Sequence, residues 1–101
     1  MKLIWHELAL EELASIGENV SEMFGEKVAD RVVEDIMNRV DALAANPFLG
    51  TKDERYLPFH VLHSWHNRIF YLVTDNEIRI IAIWDNRRDE KNLSKLLSSR
   101  L

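Results

Sequence analysis

Apolar residues recur in the first half of the chain at helical spacing and in the second half at strand spacing. Ala9, Leu13, Ile16, Val20 and Phe24 step by 4, 3, 4 and 4, which marks one face of a helix. Ala29, Val33, Ile36, Val40 and Leu43 repeat the pattern. Phe24-Gly25 separates the two periods, and so short a turn makes the helices antiparallel neighbours. Asn46-Pro47 closes the second helix, because proline disfavours helical backbone at the residue before it. Gly17 costs about 1 kcal/mol relative to alanine, so packing must hold the first helix together. Ahead of this hairpin, Lys2–Trp5 reads as a short strand. Gly50–Glu54 reads as loop.

From Arg55 the pattern predicts strands at 55–63, 67–74 and 77–85, the last two joined by an Asp75-Asn76 turn whose residue types tolerate positive φ. With that turn, residues whose numbers sum to 151 lie opposite each other and share a face. One face then carries Ile69, Tyr71, Val73, Ile78, Ile80, Ala82 and Trp84 and should bury the helical hairpin. The other carries Arg68, Phe70, Leu72, Arg79, Ile81 and Ile83, with His66 opposite Asp85. Arginine mixed with large apolar groups is not solvated surface. That face needs a cover, either the chain's own C-terminal helix or a partner. Leu93, Leu96, Leu97 and Leu101 have the spacing to make such a helix. The expected fold is α+β: an N-terminal strand and helical hairpin packed on a small antiparallel sheet, with a short C-terminal helix, all in one domain spanning 1–101.

Charge sharpens where a site would lie. Net charge is −4. Residues 1–51 hold four basic and ten acidic groups, while residues 52–101 hold nine and seven. Any polyanion site belongs to the second half, although acidic helices are commonly just solvated. Cysteine is absent, which excludes disulfides and thiolate metal sites and fits a cytoplasmic location. No apolar run reaches the ~20 residues of a membrane span, and charge interrupts the N-terminus too early for a signal peptide. His60 and His63 point to opposite faces of one strand. No metal site or cofactor is expected.

The strand Ile80–Trp84 ends abruptly in Asp85-Asn86-Arg87-Arg88-Asp89, which puts cations at one rim of the sheet. Cleavage of RNA through its 2′-hydroxyl needs a base, an acid and cations at the phosphate. Arg68, Arg87 and Arg88 offer the cations, and His66 beside Asp85 offers the proton-transfer couple. The competing reading pairs Asp85 with Arg68 or His66 as structure, and makes Arg87-Arg88 a solubilising helix entry. Trp65, in or beside a turn, is either a buried corner or a contact anchor for a partner.

Taken in order, these pieces resemble the RelE/ParE toxins of bacterial type II toxin–antitoxin modules. Trp5, Ala9, Leu13 and Ile16 are similar to the family's first helix, and Ala29, Ile36, Leu43, Pro47 and Gly50 to its second helix and exit. Arg55 with Leu57, Arg68-Ile69-Phe70-Tyr71, and Ile83–Asp89 resemble its strand motifs. The likeness covers nearly the whole chain. It implies a growth-inhibiting toxin neutralised by a cognate antitoxin, touching operator DNA only through that antitoxin and having no membrane role. On this likeness Phe70, Leu72, Arg79, Ile81, Ile83 and Trp65 would meet the antitoxin. RelE-type members are strongly basic ribosome-dependent mRNA nucleases with a tyrosine near the C-terminus. This chain is acidic and has Leu93 there. ParE-type members poison DNA gyrase, and their usual His-Gly before Arg-Arg is Asp85-Asn86 here. The likeness leans toward ParE. A non-toxic interaction module on the same fold is the alternative.

Overall fold

A computed structural model describes all 101 residues. The chain runs β1 (Lys2–Trp5), α1 (Glu7–Phe24), α2 (Glu26–Ala42), β2 (Thr51–Lys52), a 3-10 turn (Glu54–Tyr56), β3 (His60–Ser64), β4 (Asn67–Val73), β5 (Glu77–Asp85) and α3 (Leu93–Ser99). The sheet order is β1-β5-β4-β3-β2. β3, β4 and β5 form the antiparallel meander, and β1 joins β5 in parallel, so the sheet is mixed. No helix is long and apolar enough to cross a membrane.

Each helix forms where its apolar stripe places it. His6 caps α1 by accepting from the Leu8 amide at 3.1 Å, and Gly25 breaks the hairpin at φ 92°, a conformation few other residues adopt. Gly17 lets the helices close up: a Cβ there would lie 3.1 Å from a Val33 methyl. Ala9, Leu13 and Ile16 of α1 and Val32, Ile36 and Val40 of α2 are buried against Leu62, Ile69, Tyr71, Ile78, Ile80 and Ile83. Phe24, at the end of the α1 stripe, is instead 62% exposed. α2 stops at Ala42, short of Asn46-Pro47. The region expected to open as a strand at Arg55 is the 3-10 turn, started by the Asp53 carboxylate accepting from the Arg55 amide.

The register of the meander departs from expectation at one residue. Near the turn the pairs sum to 151, as Val73↔Ile78, Leu72↔Arg79 and Tyr71↔Ile80. Beyond it the pairs are Phe70↔Ala82, Ile69↔Ile83, Arg68↔Trp84 and Asn67↔Asp85. Ile81 is the extra residue of a β-bulge, and a bulge reverses the facing of everything past it. Ile83 therefore joins the helix-covered face, while Ala82 and Trp84 move to the other. Asn67, not His66, lies opposite Asp85. The Asp75-Asn76 turn sits where expected, but neither residue has positive φ. Thr74 closes it, its amide donating to the Glu77 carbonyl at 2.9 Å and its hydroxyl accepting from the Glu77 amide at 3.2 Å.

The bulge leaves backbone groups to be satisfied. β1 ends at Trp5 opposite Ile80, so β5 has no strand neighbour on that edge afterwards. Glu12 of α1 accepts from the Ile83 amide at 3.1 Å, and Arg100 donates to the Ile81 carbonyl at 3.0 Å. The two side chains also pair with each other at 2.8 and 2.9 Å. Buried backbone polar groups need partners, and this ion pair supplies them where a strand would have.

The second face is covered by the chain itself. Leu93 and Leu97 of α3, with Tyr56 and Phe59, pack on Val61, Phe70, Ile81, Ala82 and Trp84. Phe70, Ile81 and Ile83 are all but inaccessible, which corrects their assignment as an antitoxin-contact surface. Of that set, Leu72 is half-buried, while Arg79 and Trp65 are exposed.

Candidate functional site

Arg55, Arg68 and Arg87 are each held by a carboxylate of the same chain. Arg68, on β4, is buried under the Tyr56 and Phe70 rings, 5.7 and 5.5 Å from their centroids. Its Nε donates to the Asn86 amide oxygen at 2.6 Å, and its Nη2 donates to a Glu90 carboxylate oxygen. The Tyr56 hydroxyl donates to the other Glu90 oxygen at 2.8 Å. Those donors, Tyr56 foremost and Arg68 with it, hold the Glu90 carboxyl below its usual range, while burial and the Glu90 bond push the Tyr56 phenol up.

Three further pairs are built locally. Asp53 accepts from both the amide and the guanidinium of Arg55, and that guanidinium holds its carboxyl down at about 2. Asp85 accepts in the same way from Arg87, which depresses its carboxyl too. Asp89 accepts from the Lys91 amide at 3.0 Å. In each case an aspartate caps the amide two residues on, a turn habit of this residue type. Arg88 lies over the Trp84 ring, 4.3 Å from its centroid. The ring face attracts the cation, and the Asp85 carboxylate, which lines the same crevice, feels its charge.

The expected catalytic set is thus dispersed. Arg68 faces a crevice of about 310 Å³ on the second face, walled by Thr51, Asp53, Arg55, Val61, His63, Asn86 and Glu90. His66 and Arg87 line a small apolar crevice beneath the helical hairpin with Val20, Phe24 and Val28. Asp85 and Arg88 line a third, against Glu12, Ser15 and Asn19 of α1. Asp85 pairs with Arg87, not with Arg68 or His66. The His66 carbonyl accepts from the Asn86 amide at 2.8 Å, which ties the β3–β4 turn to the end of β5.

Trp65 occupies that turn at φ 54°, a left-handed backbone uncommon for a bulky residue. It is 51% exposed, so it is not a buried corner. Its indole N–H donates to Asp35 of α2 at 2.8 Å, which fixes the ring beside Asn38, Arg39 and Ser64. His60 lies on the helix-covered face, stacked on Tyr71 with ring centroids 5.2 Å apart, while its Nδ1 has no partner. Burial, then Lys52, lowers its proton affinity. Tyr71 accepts from the Gly50 amide at 2.9 Å.

No pattern in the sequence marks Tyr56, Glu90, Glu12 or Arg100. The Asp-x-Arg spacing at 53–55 and 85–87 was a usable signal for the local pairs. Glu90 and Glu12 had none, since their partners are remote in the chain.

Comparison with known proteins completes the assignment. A family model described as the ParE toxin of the type II toxin-antitoxin system parDE matches residues 3–90. Among solved structures, a chain from the chromosomal ParDE toxin–antitoxin system of P. aeruginosa is similar at 28% identity and a TM-score of 0.72, covering 82% of this chain and 92% of that one. No curated protein matches the sequence. The family match takes in every element from β1 to the loop bearing Glu90 and leaves only α3 outside it. The chain belongs to the ParE toxin family of type II toxin–antitoxin systems.

Proposed function

We propose that the protein inhibits growth by acting on a protein target of the DNA gyrase kind rather than by cleaving mRNA on the ribosome, and that a cognate antitoxin neutralises it. The observation that carries this reading is the charge state of the rim. Arg55, Arg68 and Arg87 are each paired with a carboxylate of the same chain, and the net charge is −4. Binding to RNA is driven by release of counterions from phosphates, which takes unneutralised cations. The expected couple is also split, since His66 and Arg68 open onto different crevices. Arg87 and Arg88, exposed on the loop after β5, are the residues proposed to contact the target. Trp65 and Arg79, still exposed, are proposed to meet the antitoxin, which would also carry any operator contact.

The test is induced expression in a host lacking the antitoxin, with transcript ends and the DNA-damage response followed together. Growth arrest with a damage response and intact transcripts is expected. Mapped cleavage without a damage response would reverse the choice of target, and unimpaired growth would sink the toxin reading.

A further inference from the structure

Glu90 lies where an external carboxylate would lie. Its donors are rigid: Arg68 has a side chain only 7% exposed and is oriented by Asn86, and Tyr56 is buried in the core of the second face. Glu90 itself is not. Its side chain is 40% exposed, and it stands on the irregular segment between β5 and α3. A fixed pair of donors facing a crevice, filled by a reachable acceptor from a loop, has the geometry of a binding site with a tethered occupant. The crevice holds two guanidinium groups, Arg55 and Arg68, and two carboxylates, Asp53 and Glu90. Withdrawal of Glu90 leaves it one charge positive, with a buried guanidinium unpaired, which is costly in a low-dielectric setting.

We propose that this crevice is a carboxylate-binding site, that it accepts an acidic side chain from a protein partner, and that Glu90 occupies it until that partner arrives. A partner carboxylate would restore both bonds that Glu90 makes, one from the Arg68 guanidinium and one from the Tyr56 hydroxyl. A phosphate would set additional negative charge against Asp53. The site stands apart from the choice of target, because it is read on the purified protein alone.

A tethered group on a short connection competes at an effective concentration of about millimolar order. Replacing it by Glu90→Gln keeps a neutral acceptor for Tyr56 and removes the competing charge. The probe is acetyl-glutamyl-amide, titrated against the backbone amide resonances of Tyr56 and Asn86 in the full chain. Binding about tenfold tighter to Glu90→Gln than to the wild type is expected, with loss of the gain when Arg68→Gln is added. Equal affinity in the two proteins overturns the proposal, as does a gain that survives Arg68→Gln in a folded protein. Should Glu90→Gln not fold, Glu90→Asp, which shortens the reach by one methylene, takes its place with the same expected direction. Tighter binding of a short RNA than of the probe, at equal ionic strength, would overturn the assignment to a carboxylate.

Discussion

The two faces of the sheet are buried by different means. One is covered by two long helices and is closed by apolar contact among Leu13, Ile16, Ile36, Val40, Ile69 and their neighbours. The other is covered by a seven-residue helix and a 3-10 turn, and polar clamps, Arg68 with Glu90 and Arg100 with Glu12, secure it. A helix of two turns has no stability of its own, so the cover of the second face depends on side chains that reach across the chain. One face is held by area alone, the other by a smaller apolar area and a few directed bonds. The second is therefore the face at which a single group can be exchanged.

The sharpest way to break this contrast is to remove a clamp. Arg100→Met leaves the largely covered Glu12 without its counter-charge and the Ile81 carbonyl without its donor. A loss of about 3–5 kcal/mol is expected, measured by urea unfolding, and Glu12→Leu added to it should restore part of the loss. A loss below about 1 kcal/mol would mean that the clamp contributes little beyond a surface pair.

Cavities test the same contrast on the apolar side. Ile36→Ala, wholly buried, should cost about 2–5 kcal/mol and raise amide exchange throughout the domain. Leu97→Ala should cost less, about 2 kcal/mol, with faster exchange confined to α3 and the Glu54–Phe59 segment. Uniform exchange in both variants would show the two faces to be one cooperative unit.

Acid should act in two phases, first on His60 and then on the paired carboxylates. His60, on the helix-covered face, has a folded pKa below its unfolded value of about 6.5. The unfolded chain then binds more protons, and stability falls as pH drops below about 6.5. Asp53, Asp85 and Glu90 have folded values below those of unfolded carboxylates. Their contribution is fully present above about pH 4 and is lost as pH falls through the folded values, to about 2 for Asp53. Midpoints of urea unfolding measured from pH 7.5 to 3 check this, and His60→Phe should flatten only the upper phase.

The smallest stability effect belongs to the rim. Arg87 is exposed and its bond to Asp85 is local, so Arg87→Ala should cost about 0.5 kcal/mol while abolishing growth arrest. A variant that is stable and still toxic would remove Arg87 from the proposed target contact.

The apolar face was legible because its information is periodic. Ala9, Leu13, Ile16, Ile36 and Val40 announce their burial by spacing alone, and the Leu93–Leu97 stripe announced a cover for the second face. The facing of β5 beyond Ile80 was not legible, since the bulge sits within a uniform apolar run, Ile80-Ile81-Ala82-Ile83, in which either register buries acceptable side chains. Glu12 reads as one more solvated acid of an acidic helix. Its partner lies 88 residues away, beyond any local pattern. Trp65 offered both a corner and an anchor, and its exposure in the folded chain, which no local pattern announces, excludes the corner.

The bulge has a consequence for how this chain is compared with its kin. A relative that makes the same strand without Ile81 carries one residue fewer, and a gap in the middle of β5 is then needed to bring Ile83 and Trp84 onto side chains that face the same way. Closing that gap would set each rim position against a neighbour of opposite orientation, while apolar residues still matched apolar residues and raised no alarm. In this family, percentage identity past Ile80 measures kinship only after the parity of the strand has been settled.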